Sequence, residues 1–211
     1  MTGKDDGAAP AGAPYQSNSG GKASQRPKRR RQPLKATPQG LERSALYYLE
    51  RYDSSSGHLR RLLHRKVQLS ARVHDTDPEE GVAAVERLIA RLTGLGLLND
   101  GRYARERVRS LRGRGASTAM IRAKLRAKSL PAGLIDAALS EEASNPEERE
   151  LLAALRYAQR RRLGPFRLDN RTERRDRDLA ALGRQGFPYE TARRVIDSEN
   201  PAALQAEIGD D

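Results

Sequence analysis

The chain predicts an all-α fold built from three tandem three-helix repeats, and three observations carry that prediction. First, Ile121-Arg-Ala-Lys-Leu125, Leu130-Pro131 and Ala138-Leu139 are answered, always 57 residues on, by Asp178-Leu-Ala-Ala-Leu182, Phe187-Pro188 and Val195-Ile196. Second, a fainter copy, Leu59-Arg-Arg-Leu62-Leu63, lies 62 residues before the central one. Self-similarity at such a period is the mark of stacked repeats. Third, 211 residues with 4% aromatics, no Trp and two Phe cannot fill a thick single core, whereas short helices burying Leu, Ile, Val and Ala suit this composition.

The elements follow from capping signals and helical periods. Residues 1–40 are rich in Gly, Pro, Ala and Ser, carry the cluster Arg26, Lys28, Arg29, Arg30, Arg31 and lack an apolar period, which predicts a disordered basic arm. Such an arm reads as a nucleic-acid tether, a localisation signal or simply a solvated tail. Repeat one is expected over 41–97. Leu41, Ala45, Tyr48, Leu49 and Tyr52 share a helical face, Ser55 or Ser56 can cap a helix with Leu59, Leu62 and Leu63, and Asp77-Pro78 with Glu80 opens a third whose stripe runs Val82, Val85, Leu88, Ile89, Leu92 until Gly94 and Gly96.

Repeat two is expected over 98–142, with helices from about Gly101, Ser117 and Pro131; its apolar positions are Tyr103, Ala104, Val108 and Leu111, then Ile121 and Leu125, then Leu134, Ile135, Ala138 and Leu139. Repeat three is expected over 143–198, opened by Asn145-Pro146 with Glu148 and followed by Leu151, Leu152, Leu155 and Ala158 and a loop at Gly164-Pro165. Residues 199–211 read as a frayed tail. Each stripe is narrow, so a single unit would bury too little apolar surface to offset its chain entropy and the units should pack together.

The absence of Cys excludes disulfides and thiolate metal sites. No run approaches the roughly 20 apolar residues of a membrane span, and no apolar signal-peptide core is present, so a soluble cytoplasmic protein is expected. The net charge of +12 favours polyanionic or acidic partners.

That charge is concentrated in repeat two. Arg102, Arg105, Arg107, Arg109, Arg112, Arg114, Arg122, Lys124, Arg126 and Lys128 face one acid, Glu106, between Gly101 and Lys128. Arg102, Arg105, Arg109 and Arg112 recur at three- and four-residue steps, which predicts a guanidinium face opposite Ala104, Val108 and Leu111. Like charges at these steps destabilise an isolated helix by roughly 0.2–0.5 kcal/mol per pair, so an anionic partner would relieve the repulsion. Arg recognises carboxylate and phosphate alike, which leaves an acidic protein groove and a nucleic-acid backbone both open. The plain alternative is a solubilising face, although surfaces ordinarily mix signs.

Other constellations carry less. His58, His64 and His74 lack the spacing of a helical metal pair, so no metal is expected. Gly113-Arg-Gly115 lacks the rest of a phosphate-cradling loop, and no cofactor is expected. Ser54-Ser-Ser56 reads as a cap rather than a nucleophile, and Asp100 as a capping carboxylate, which leaves no catalytic pair. Tyr47, Tyr48, Tyr103, Tyr157 and Tyr189 could stack on bases, but Tyr103-Ala104 and Tyr157-Ala158 recur at matching places in two units, as packing positions would.

Three segments in order resemble the RecX family of bacterial recombination regulators: Leu98-Asn-Asp100-Gly-Arg-Tyr103-Ala104, then Arg114-Gly115 with Ile121 and Leu125, then Leu179-Ala-Ala-Leu182-Gly-Arg-Gln-Gly186-Phe187-Pro-Tyr189. The resemblance covers roughly residues 42–198. It implies three three-helix units in an elongated, curved stack, monomeric when free, that binds RecA recombinase filaments and restrains their ATPase and strand exchange in recombination, repair and the SOS response. Asn99 stands where a second Asp is usual, Ser129 where a Gly usually precedes a unit's third helix, and His58 where an acid often sits. The expected role is thus a non-enzymatic modulator using Arg102, Arg105, Arg109, Arg112, Arg122, Lys124, Arg126 and Lys128, with direct DNA contact open. The rival is a stand-alone nucleic-acid-binding protein such as a transcription regulator. Against it stands the lack of a reading helix with Asn, Gln and Arg set for base edges.

Overall fold

The computed structural model describes residues 33–142 and 145–209, and the cluster Arg26, Lys28, Arg29, Arg30, Arg31 lies outside the described residues. The described helices are α1 (Pro38–Leu49), α2 (Ser56–His74), α3 (Pro78–Gly94), α4 (Asp100–Gly113), α5 (Thr118–Arg126), α6 (Ala132–Glu142), α7 (Pro146–Arg161), α8 (Arg171–Arg184), α9 (Tyr189–Ile196) and α10 (Pro201–Gly209). A 3-10 turn at Gly164–Phe166 leads from α7 towards α8. Among the described residues there is no strand, and no helix is long and apolar enough to cross a membrane.

Helix starts lie where side-chain oxygens can take up the first free N–H groups. Thr37 accepts from Gly40, Ser55 from His58, Asp77 from Glu79, Asn99 from Arg102, Ser117 from Met120, and Asn145 from Glu147 and Glu148. Each such cap stabilises its helix by about 1 kcal/mol, and Pro38, Pro78 and Pro146 fix the first turn of three of them. The apolar stripes then close three separate cores. Leu41, Leu59, Leu63, Val85 and Leu92 belong to the first. Tyr103, Val108, Ile121, Leu125 and Ile135 form the second, and Leu155, Tyr157, Leu182, Phe187 and Val195 the third.

The chain joins successive repeats with one contact used twice. The hydroxyl of Ser55, at the start of α2, donates to the carbonyl of Lys128; that of Ser117, at the start of α5, donates to the carbonyl of Gln185 at 2.5 Å. Ser117 follows Ser55 by 62 residues and Gln185 follows Lys128 by 57, the two offsets of the sequence repeat. Each serine therefore both caps its own helix and ties it to the end of the corresponding helix in the next repeat.

Several expectations change. Order begins before residue 41: the Ala36 N–H donates to Ser70 Oγ at 2.9 Å and His74 Nε2 lies 2.6 Å from the Pro33 carbonyl, fastening residues 33–37 against α2. The tail expected over 199–211 contains α10, whose Leu204 is buried in the third core. Asn99, not Asp100, caps α4. Asp100 reaches across the first joint instead, accepting from the Ser56 N–H at 2.7 Å and the Ser56 hydroxyl at 2.6 Å. It thereby serves α2, whose first-turn N–H groups have no partner within the helix.

Candidate partner-binding surface

Helix α4 presents its apolar residues Tyr103, Ala104, Val108 and Leu111 to the second core, and its arginines fall on other sides of the cylinder. Four of the eight candidate cations meet carboxylates. Arg102 pairs with Glu106 at 3.9 Å, Arg105 with Glu141 at 3.7 Å and Arg122 with Asp136 at 3.0 Å, all at solvent-exposed positions where such pairs contribute roughly 0–1 kcal/mol. Arg105 and Arg122 both reach acids on α6.

Arg112 does not join an exposed face. It is 6% exposed and fills the joint between repeats two and three. Its Nη1 donates to Glu150 at 2.8 Å, its Nε lies 3.2 Å from Glu142, Nη1 also reaches the Ala116 carbonyl at 3.2 Å, and Nη2 bonds Thr118 Oγ1 at 2.5 Å. Glu150 completes the network by accepting from the Thr118 N–H at 3.0 Å and from its hydroxyl at 2.5 Å. A buried guanidinium with this many acceptors is a structural tie, and removing either partner would strand the other. Its burial follows from register: the guanidinium stripe of α4 ends where α7 begins with an acidic first turn and Glu150.

Arg109, Lys124, Arg126 and Lys128 remain without a carboxylate partner among the described residues. Arg109, Lys124 and Arg126 are exposed, and Lys128 is half-buried with its Nζ 3.4 Å from His58 Nε2. Burial, with the charges of Lys128, Arg61 and Arg65, holds the His58 imidazole below its ordinary pKa, so it adds no cation near neutral pH. Arg122 and Arg126 border an open groove of about 500 Å³ that also takes in Ala119, Pro188, Thr191 and Glu147 across the second joint.

Tyr103 and Tyr157 are buried, with Ala104 and Ala158 fully enclosed beside them, as matching packing positions require. Tyr47 and Tyr189 are exposed, and the Arg51 guanidinium lies 3.8 Å from the Tyr47 ring centre. Asp178, aligned with Ile121 by the repeat, is a buried carboxylate. It accepts from the Gly164 N–H at 2.8 Å and from Arg167 at 2.6 Å, pinning the 3-10 turn. Among the described residues no group of three metal-ligating side chains is assembled.

Comparison with known proteins agrees with this architecture. The family model described as "RecX, second three-helix domain" matches residues 99–139, the span of α4 to α6. A protein named "Regulatory protein RecX" from Myxococcus xanthus (strain DK1622) is 43% identical over 174 residues, 82% of this chain and 91% of its own. The protein of the same name from Agrobacterium fabrum is 29% identical over 154 residues, covering 72% and 79%. A solved structure described as "Crystal structure of regulatory protein RecX" superposes with a TM-score of 0.54 over 76% of this chain and 72% of the other, at 22% identity, and shares the fold. With three three-helix units in order and this level of identity across most of both sequences, the chain belongs to the RecX family.

Proposed function

We propose that this protein is a non-enzymatic cytoplasmic regulator that binds filaments of the RecA recombinase as a monomer and restrains their ATPase and strand exchange. The observation that carries the reading is that the fold leaves four of the eight candidate cations of repeat two without carboxylates among the described residues: Arg109, Lys124, Arg126 and Lys128. On a member of the RecX family, a cluster not consumed by internal ion pairs is suited to acidic groups on a filament. Successive repeats fastened by Ser55 and Ser117 would present those cations on a connected scaffold able to span neighbouring recombinase protomers. Binding one filament conformation more tightly than another shifts the filament towards it, and a tenfold preference is worth about 1.4 kcal/mol. Slower ATP turnover follows when the favoured conformation is the less active one.

The test is DNA-dependent ATP hydrolysis by the recombinase with the unaltered chain and with the combined variant Arg109→Glu, Lys124→Glu, Arg126→Glu. The unaltered chain should suppress hydrolysis and the variant should not. Equal suppression by both would remove these residues from the interface.

A further inference from the structure

A groove on the third repeat carries charge that the repeat-two surface does not account for. It is about 380 Å³, lies between the C-terminal ends of α7 and α8, and is lined by Arg160, Arg161, Arg162, Arg184 and Gln185 above the buried Tyr157 and Leu163. All four arginines are exposed, and among the described residues none of them pairs with a carboxylate. Arg160 alone is held: its Nη1 donates to the Arg114 carbonyl at 2.5 Å, and its guanidinium carbon sits 5.7 Å from the Tyr157 ring centre.

Cations at helix C-termini are ordinarily explained by the helix dipole. Two helix ends supply about one negative charge between them, so four guanidiniums leave an excess of about three. Arg162 moreover ends α7 in the left-handed conformation, at φ 54°, where a residue with a Cβ costs roughly 1 kcal/mol and glycine is the usual choice. The groove is poor ground for a protein partner. Protein interfaces centre on desolvated aromatic and aliphatic anchors with few charges, whereas here Tyr157 and Leu163 are already covered and guanidiniums form the walls. Guanidinium forks supplied to one groove from two helix ends match the oxygens of phosphate.

We propose that this groove binds the phosphodiester backbone of nucleic acid, clamped between Arg161 and Arg162 on the α7 side and Arg184 on the α8 side. The site is separate from the repeat-two cations and does not depend on the recombinase reading. The probe is a fluorescent oligothymidylate, followed by anisotropy over a salt series with the full chain and with Arg161→Glu, Arg184→Glu. The variant should bind about tenfold or more weakly near 0.1 M salt, and the slope of log affinity against log salt should shrink by about 1.4, the release expected for two single-strand phosphates. Unchanged affinity and slope overturn the proposal, as does displacement of the oligonucleotide by polyglutamate as effective as displacement by unlabelled oligonucleotide. A second measurement needs no variant. Phenylglyoxal modification of the unaltered chain, mapped by mass spectrometry, should be blocked by the oligonucleotide at Arg161, Arg162 and Arg184; undiminished modification there also overturns it.

Discussion

Gly57 and Ser129 share one space: a Cβ on Gly57 would sit 2.6 Å from the Ser129 Cβ and 2.6 Å from its carbonyl oxygen. Ser129 adopts φ 58°, a conformation that favours glycine. The equivalent pair in the next joint is Ala119 with Gly186, whose φ is 82° and whose added Cβ would fall 2.9 Å from the Ala119 Cβ. Each of these two equivalent contacts therefore contains one glycine, on opposite sides. Ser129 fits here because its neighbour across the joint, Gly57, carries no side chain.

This relationship predicts coupling. Gly57→Ala should cost about 1–3 kcal/mol by overpacking, and Ser129→Gly should be neutral or stabilising by up to about 1 kcal/mol as the left-handed strain is relieved. The double variant reproduces the composition of the second joint, so its loss should be smaller than the sum by about 1 kcal/mol in denaturant unfolding. Strict additivity would show that the two residues do not compete for space.

Arg112 and Arg109, one turn apart on α4, should behave oppositely. Arg112→Ala leaves Glu150 buried without its cation and should destabilise the fold by about 3–5 kcal/mol. Arg109→Ala removes an exposed side chain and should change stability by less than about 0.5 kcal/mol. Thermal melts of both variants decide it; an Arg112→Ala chain as stable as the parent would contradict the buried network.

Acid should destabilise the chain through two groups. Burial pushes the Asp178 carboxyl up, but the Arg167 guanidinium and the Gly164 N–H outweigh it and hold it below the ordinary aspartate value. A carboxyl depressed on folding stabilises fully above its unfolded pKa of about 4 and loses that contribution as the pH falls through the folded value. Asp178→Asn should lower stability at neutral pH by about 2–3 kcal/mol and flatten the pH dependence below about pH 4. His58 is also depressed, chiefly by burial, so protonation of the unfolded chain draws stability down as the pH falls below about 6.5. His58→Gln should flatten that upper part of the profile. Denaturant midpoints measured across pH 3–8 read both effects.

Helix starts, repeat order and core stripes were legible because each rests on neighbours close in sequence. Ser55, Asp77, Asn145 and their following turns announce themselves within four residues, and Leu63, Leu125 and Leu182 mark the same place in three units. The basic face was legible only in part. Counting between Gly101 and Lys128 finds one acid, yet Asp136, Glu141, Glu142 and Glu150 arrive from later helices and neutralise or bury Arg122, Arg105 and Arg112. Charge in a sequence window is a local quantity, whereas ion pairing is decided by packing. Asp178 was hidden for the same reason, since its partners Gly164 and Arg167 precede it by a loop and about two turns of helix. Likewise Leu204 in α10 has an apolar target that only the folded third repeat provides.

Whether the repeat-two cations hold the chain on the filament is decided by co-sedimentation with RecA filaments over a salt series, comparing the unaltered chain with Arg109→Glu, Lys124→Glu, Arg126→Glu. The unaltered chain should pellet with the filaments and be progressively released by salt, while the variant, equally well folded by circular dichroism, should stay in the supernatant at low salt. Pelleting of the variant to the same extent and with the same salt dependence would show that the cations do not hold it there.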